Sequence, residues 1–425
     1  MSHLHVKYLL AGGGITSSAA AVAIRGLDPT NTLLMIGQEI NRPYDRPLLS
    51  KGYLRREKRH DELFTLPEGW FADSRVELRT GRRVAHLDTA RCAVTLDDGK
   101  EISYDRLLLA TGATPNKLTL PGAQLPNVFY VRTLDDVERL SHAIDQAKSS
   151  GRSHAAGTGR GRVAVVGGGI LGVELTGTLA MLGLSVDLVV GRDWPWARFA
   201  GEPAGKFLAR YLQGKGVQVH NGRRAARLEG DGRVQRVVTD DGQTIACDFV
   251  VATVGSHANR DLLRGTPLAS EKAILVDEHC RTSDEHVYAA GDCAAVFDPL
   301  FGKHRNVDHW ENALLTGTIA GTNMAGGNRT YDTVTSFGTG AFDVAAKVWG
   351  EPRLVDRRIV RGSTAGDAPN FVEIGIAADG RTAQVLAIGH GHDTDSLRKL
   401  VERRVQINGN QEQLKDPSVP LSRFL

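Results

Sequence analysis

Two turns in this chain carry glycine where a backbone must come close to phosphate: Gly12-x-Gly14-x-x-Ser17 and Gly167-x-Gly169-x-x-Gly172. Glycine lets the chain bend tightly and leaves its amides uncovered. A helix starting there presents unpaired N–H groups and about half a positive charge. Such a turn can cradle a pyrophosphate. About 20 residues further on, the end of the next strand reads the adenosine ribose. In the first copy that place holds Gln38 and Glu39, and Glu39 can accept from ribose hydroxyls if Gln38 does not. In the second it holds Val190-Gly191-Arg192-Asp193. Arg192 suits a 2′-phosphate and Asp193 a plain ribose, so the choice stays open; Asp187 is set aside because its phase puts it inside the strand. Ala289-Ala290-Gly291-Asp292 ends a further strand in a carboxylate, at the edge where open α/β sheets bind ligands. With Thr111-Gly112 it forms a second binding strand.

The elements needed to hold these residues recur in order. Val6–Ala11 is an apolar run into the first turn, Thr16–Arg25 is alanine-rich and helical, and Thr32–Gly37 is the second parallel strand. Val76 to Ala110 reads as a meander, with Asp97-Asp98-Gly99 as its hairpin turn. Arg162–Val166 restarts the pattern, and the same turn residues return at Asp240-Asp241-Gly242. The internal repeat predicts an α/β fold with two Rossmann-like dinucleotide-binding domains of three layers, plus a small C-terminal α+β domain. The expected boundaries are 1–115 with 251–328 for a discontinuous first domain, 116–250 for the second and 329–425 for the third. In the last, Phe371–Ile376 and Ala383–Ile388 read as strands, and Asp395–Arg404 as a charged helix. Residues 149–161 are Gly-, Ser- and Arg-rich and read as an exposed loop.

With 425 residues, a formal charge of +3, 41% apolar and 24% charged residues, the chain is an ordinary globular one, and no nucleic-acid stripe is indicated. No window reaches the roughly 18–20 continuous apolar residues of a membrane span. A strand starting this early leaves no room for a cleavable signal peptide. Cys92, Cys247, Cys280 and Cys293 show no CxxC spacing, so a reducing cytoplasm is expected. His390-Gly391-His392-Asp393 has metal-like spacing but no companion ligands; it reads as a loop, and no metal is expected.

Together these pieces resemble the two-dinucleotide flavoproteins, and more narrowly the bacterial NAD(P)H-dependent ferredoxin and rubredoxin reductases with their apoptosis-inducing-factor-like relatives. The most specific element is Arg42-Pro43-Tyr44-Asp45-Arg46-Pro47-Leu48-Leu49-Ser50-Lys51, similar to the family's PYxRPPLSK segment. The resemblance implies FAD held by Gly12, Gly14, Ser17, Gln38, Glu39, Arg46, Lys51, Val84, Thr111, Gly112, Asp292 and Trp310. It implies NADH or NADPH held by Gly167, Gly169, Ile170, Gly172, Glu174, Arg192 and Gly255. The same resemblance implies that Lys51 and Glu174 are the catalytic pair. A reduced flavin gains negative charge, a nearby ammonium stabilises it, and a carboxylate keeps that ammonium protonated. Departures occur where the family's VGxxPN proline is Ala258, and where its aromatic-Ser-Asp segment survives only as Phe337-Gly338-Thr339.

Missing chemistry narrows the outcome. There is no redox CxxxxC, and the segment where peroxide-reducing relatives place a cysteine carries Lys51. Cys293 follows Asp292 without a thiol partner in sequence and reads as structural. The expected activity is therefore hydride transfer from NAD(P)H to flavin, then single electrons to a small ferredoxin- or Rieske-type iron–sulfur protein. A quinone- or monodehydroascorbate-type reductase and an apoptosis-inducing-factor-like redox sensor are the alternatives. A homodimer is compatible with either.

Overall fold

The computed structural model describes residues 4–149, 161–366, 369–407, 409 and 411–425. The loop expected at 149–161 lies almost wholly outside them. By compactness the chain forms two units: Met1–Asp45, Arg59–Thr114 and Ser256–Thr333 make the first, and Arg46–Lys58, Pro115–Gly255 and Val334–Leu425 the second.

In the first unit, apolar residues on both faces of Leu4–Ala11, Leu33–Ile36 and Glu101–Leu109 drive them into the middle of a parallel sheet. Strand order is Val76–Arg79, Leu33–Ile36, Leu4–Ala11, Glu101–Leu109, with Val287–Ala289 parallel to the end of the last. The hairpin strands Val84–Asp88 and Ala93–Leu96 continue the sheet antiparallel from the other end of Glu101–Leu109. Two helices cover one face, Ile15–Leu27 and Trp310–Met324. They touch through glycine: a Cβ at Gly317 would stand 2.3 Å from the Thr16 carbonyl oxygen, and one at Gly321 2.4 Å from that of Ala20.

The second unit repeats the plan. Gln218–Asn221, Ser185–Val190, Arg162–Val166, Phe249–Ala252 and Val128–Phe129 form a parallel sheet, flanked by a separate meander of Ala225–Glu229, Arg236–Thr239 and Thr244–Ala246. Its C-terminal part is a five-stranded antiparallel sheet ordered Ser336–Ala341, Val344–Gly350, Thr382–Ile388, Asn370–Ala377, Val355–Ser363, followed by the helix Thr394–Glu402. The hairpin Ser336–Gly350 had no clear signal, because Gly338 and Gly340 interrupt its alternation. Gly340 is needed there: a Cβ would meet the Val344 carbonyl oxygen at 2.1 Å.

A buried carboxylate organises this second unit. Glu373, fully buried in Asn370–Ala377, accepts from the amides of Gly201 (2.7 Å) and Ala204 (2.9 Å) at the start of the helix Glu202–Gly214. Arg358 lies 3.8 Å away and also donates to Gln384 (2.8 Å), whose amide donates to the Phe199 carbonyl (2.9 Å). Replacing Glu373 by Ala orphans two helix amides and leaves Arg358 without its counter-charge. The expected loss is about 3 kcal/mol, read as a lower urea midpoint for the unfolding of this unit, with Glu373→Gln retaining part of the stability.

Candidate active site

In the first unit the Gly-rich turn is forced by contacts. Gly12 has φ +142°, donates to the Ile36 carbonyl (2.9 Å), and has no room for a Cβ, which would stand 2.1 Å from the Ala110 oxygen. Gly14 caps the helix Ile15–Leu27 with no side-chain hydrogen bond, and a Cβ built on it meets nothing within 4 Å. The first amides of that helix thus open onto free space. Ser17 is fully buried in the first turn, and its hydroxyl has no protein partner among the described residues. An uncapped N-terminus, an open cradle and an orphaned hydroxyl fit the pyrophosphate of a dinucleotide.

The neighbouring residues are fixed by the same packing. Gln38 is exposed; Glu39 is half-buried and accepts from the Tyr44 hydroxyl at 2.5 Å. Val84 is buried at the start of its hairpin strand. Gly291 has φ +74° and sits so close that a Cβ would be 2.4 Å from the Thr16 hydroxyl, which brings Asp292 beside the Gly-rich helix. Asn259, a residue missed in the sequence reading, ties down Thr111 and Gly112. It donates to both of their carbonyls (2.8 and 2.9 Å) and accepts from the hydroxyls of Thr111 (2.8 Å) and Thr114 (2.7 Å). Its only signal was the repeat of Ala113–Asn116 (ATPN) as Ser256–Asn259 (SHAN).

Trp310 opens the helix Trp310–Met324 and is 39% exposed, one of the few large apolar side chains left at the surface. His309 caps that helix, its Nδ1 accepting from the Asn312 amide (3.4 Å), which leaves the proton of a neutral ring on Nε2. Burial pushes the His309 pKa down to about 4, against the opposing pull of Glu311 and Asp292.

The four cysteines are all free, and three are buried. Cys293 donates to the carbonyls of Leu109 (3.3 Å) and Ala290 (3.2 Å), and burial raises its pKa. It packs as a small apolar group.

In the second unit Gly167 (φ +122°) donates to the Val189 carbonyl (2.9 Å), and a Cβ would meet the Thr253 oxygen at 2.3 Å. Gly172 completes the turn: its Cβ would lie 1.8 Å from the Gly167 oxygen. Gly169 caps the helix Ile170–Met181 without a side-chain bond and faces open space, so a second uncapped N-terminus begins at Ile170. Gly255 (φ +94°) sits against Asn116, whose amide donates to its carbonyl (2.9 Å). Arg192 is exposed just past the strand Ser185–Val190.

The segment carrying Arg46 and Lys51 belongs to this second unit, whereas the other expected FAD residues lie in the first. It folds as a short 3₁₀ turn, Arg46–Leu48, followed by a π turn, Leu49–Tyr53. Arg46 donates to the Arg132 carbonyl. Ser50 donates to Glu174 (3.1 Å), and Thr178 donates to the Ser50 carbonyl (2.8 Å). The Lys51 ammonium reaches Glu174 at 2.8 Å; Lys51 is 36% exposed and Glu174 only 6%. A buried carboxylate therefore anchors a half-exposed ammonium one turn inside the uncapped helix.

The chain belongs to the pyridine nucleotide-disulphide oxidoreductase family, whose model matches residues 6–317. It is 30% identical over 421 residues to the probable ferredoxin reductase CtmF of Castellaniella defragrans, covering 98% of each chain. Among solved structures it resembles the ferredoxin reductase for the CYP199A2 system from Rhodopseudomonas palustris, with a TM-score of 0.89, 30% identity, and coverage of 98% of this chain and 99% of that one. It also resembles the covalent putidaredoxin reductase–putidaredoxin complex, with a TM-score of 0.90, 25% identity and coverage of 99% and 98%. The α/β fold with Rossmann-like nucleotide domains and the resemblance to ferredoxin reductases are thus borne out. Among the described residues, no helix is long and apolar enough to cross a membrane.

His309 makes a pH-dependent prediction. The unfolded chain takes up a proton near pH 6.5, whereas the fold holds the ring neutral down to about 4. Stability is therefore full above 6.5 and lost as pH falls towards 4. His309→Asn keeps a good helix cap and should flatten the melting temperature of the flavin-loaded protein across that window, measured by calorimetry at stepped pH.

Proposed function

We propose that the chain is an FAD-dependent NAD(P)H:ferredoxin reductase, taking hydride from a nicotinamide nucleotide and releasing single electrons to a small iron–sulfur protein. The observation that carries this reading is the pair of uncapped, glycine-opened helix N-termini on one chain, together with the absence of any thiol pair. With its cysteines free and three of them buried, the protein has no sulfur relay to receive an electron pair, so the pair must leave for an outside acceptor. Relatives support that acceptor: one is named the ferredoxin–NAD(+) reductase component of an anthranilate 1,2-dioxygenase system.

Bound FAD supplies the exchange between two-electron and one-electron chemistry. The chain's own part is binding and electrostatics. Gly12, Gly14 and Ser17 hold the FAD pyrophosphate, Glu39 reads its ribose, and Thr111, Gly112, Asp292 and Trp310 line the remaining length. Gly167, Gly169 and Gly172 hold the nicotinamide nucleotide. Lys51 offers positive charge to the reduced flavin, and Glu174, 2.8 Å from its ammonium, holds it in place. The proposed domains are 1–115 with 251–328, 116–250 and 329–425, and free cysteines suit a cytoplasmic compartment.

Lys51→Met should slow flavin reduction by about 10- to 100-fold, a loss of roughly 1.4–2.8 kcal/mol, while FAD stays bound, followed by anaerobic stopped-flow absorbance. An unchanged rate removes Lys51 from the chemistry. In the unaltered protein, rapid reoxidation by a [2Fe–2S] ferredoxin is the expected result. Reoxidation by quinone alone, or a reduced complex persisting for many minutes in air, overturns the assignment of the acceptor.

A further inference from the structure

Hydrogen bonds align the two nucleotide turns residue by residue. Gly12 donates to Ile36, and Gly167 to Val189, each at 2.9 Å. One residue further on, a Cβ at Gly13 would meet Gly37 at 2.8 Å, and a Cβ at Gly168 would meet Val190 at 2.8 Å. On the outer side, Arg82 donates to the Gly37 carbonyl and Gly81 to that of Glu39, both at 3.0 Å. In the second unit Arg223 donates to Val190 (3.0 Å) and Gly222 to Arg192 (2.8 Å). Gly37 therefore corresponds to Val190, Gln38 to Gly191, and Glu39 to Arg192. Where the first turn presents a carboxylate, the second presents a guanidinium.

A second cation shares that place. Gly191 has no side chain, and the stem of Arg224 occupies the space it leaves: a Cβ there would lie 3.1 Å from the Arg224 Cγ. The adjacent Arg223 is already engaged, with Asp241 (2.7 Å) and Gln243 (2.5 Å). Arg192 and Arg224 are both exposed, and their side chains have no hydrogen-bond or ion-pair partner among the described residues. The nearby carboxylates are Asp193, next in sequence, and Asp240, which accepts from the Arg224 backbone amide at 3.0 Å.

We propose that Arg192 and Arg224 together bind the 2′-phosphate of the adenosine ribose, so that NADPH is the preferred reductant; this rests on the reductase reading above. A carboxylate at this position would accept from a free 2′-hydroxyl and repel a phosphate. Two guanidinium groups do the reverse, each offering charge-assisted hydrogen bonds to phosphate oxygens. Asp193 corresponds to Ile40, one residue beyond the reading position, and that residue is 75% exposed in the first unit.

The test is calorimetric titration of the flavin-loaded protein with 2′,5′-ADP and with 5′-AMP, probes that bind without redox chemistry. At low salt 2′,5′-ADP should bind about 100-fold more tightly, roughly tenfold for each arginine. Arg192→Ala and Arg224→Ala should each remove about tenfold of that preference and lower the NADPH-to-NADH ratio of kcat/KM in step. Arg224→Lys should restore part of it, and added salt should shrink it. Equal affinity for the two probes overturns the proposal, even if NADH reduces the flavin rapidly and the reductase reading stands. A preference untouched by Arg224→Ala removes that residue and overturns the clamp. Tight 2′,5′-ADP binding with no bleaching of the flavin by either nucleotide supports the clamp while sinking the reductase reading.

Discussion

Both nucleotide sites depend on the same constraint: a strand must enter a helix through a turn with no Cβ atoms. At Gly12 and Gly167 a side chain would collide with the carbonyl of the neighbouring strand, and at Gly172 with the turn itself. Closing those gaps with methyl groups would push helix from sheet. The opposite condition holds at Gly14 and Gly169, where a Cβ would meet nothing. Glycine there keeps open space in front of amides that no side chain caps, which is what an incoming pyrophosphate needs. Tight packing behind the turn and emptiness before it are two halves of one requirement.

Charge is placed by the same economy. Glu174 is buried, yet it is held by the Lys51 ammonium and the Ser50 hydroxyl. Removing a partner from such a group costs several kcal/mol, so the segment Arg46–Lys58 is bound to the helix that carries Glu174. Glu373 plays a comparable part for the helix Glu202–Gly214, reaching its first amides from a distant strand. In each case a buried carboxylate fixes the position of an element that sequence order alone would leave free.

These differences explain what the sequence made legible. Repeated glycine spacing is local, so the two turns, their helices and the strands around them were readable within a residue or two. Leu4–Ala11 begins slightly earlier than expected, and Thr394–Glu402 runs slightly earlier than the expected Asp395–Arg404. Long-range partnerships were not readable. Asn259 announces none of its four bonds to Thr111, Gly112 and Thr114, because they span nearly 150 positions of chain. Nor did spacing show that Arg192 stands where Glu39 stands, since the second strand runs one residue longer before its turn. That equivalence needed the backbone hydrogen bonds. Arg224 was hidden for the same reason, lying on a segment more than 30 residues from the strand end it covers.

The first unit is assembled from three separate stretches of chain, and one of them arrives late. Val287–Ala289 pairs with Leu107–Leu109, and the helix Trp310–Met324 lies against Ile15–Leu27. Ribosomes add about 5–20 residues per second. The opening half of this sheet therefore waits on the order of 10–40 s for its last parallel neighbour, with the apolar edge of Glu101–Leu109 uncovered meanwhile. The sheet and its helical cover are complete only once synthesis has passed the helix Trp310–Met324.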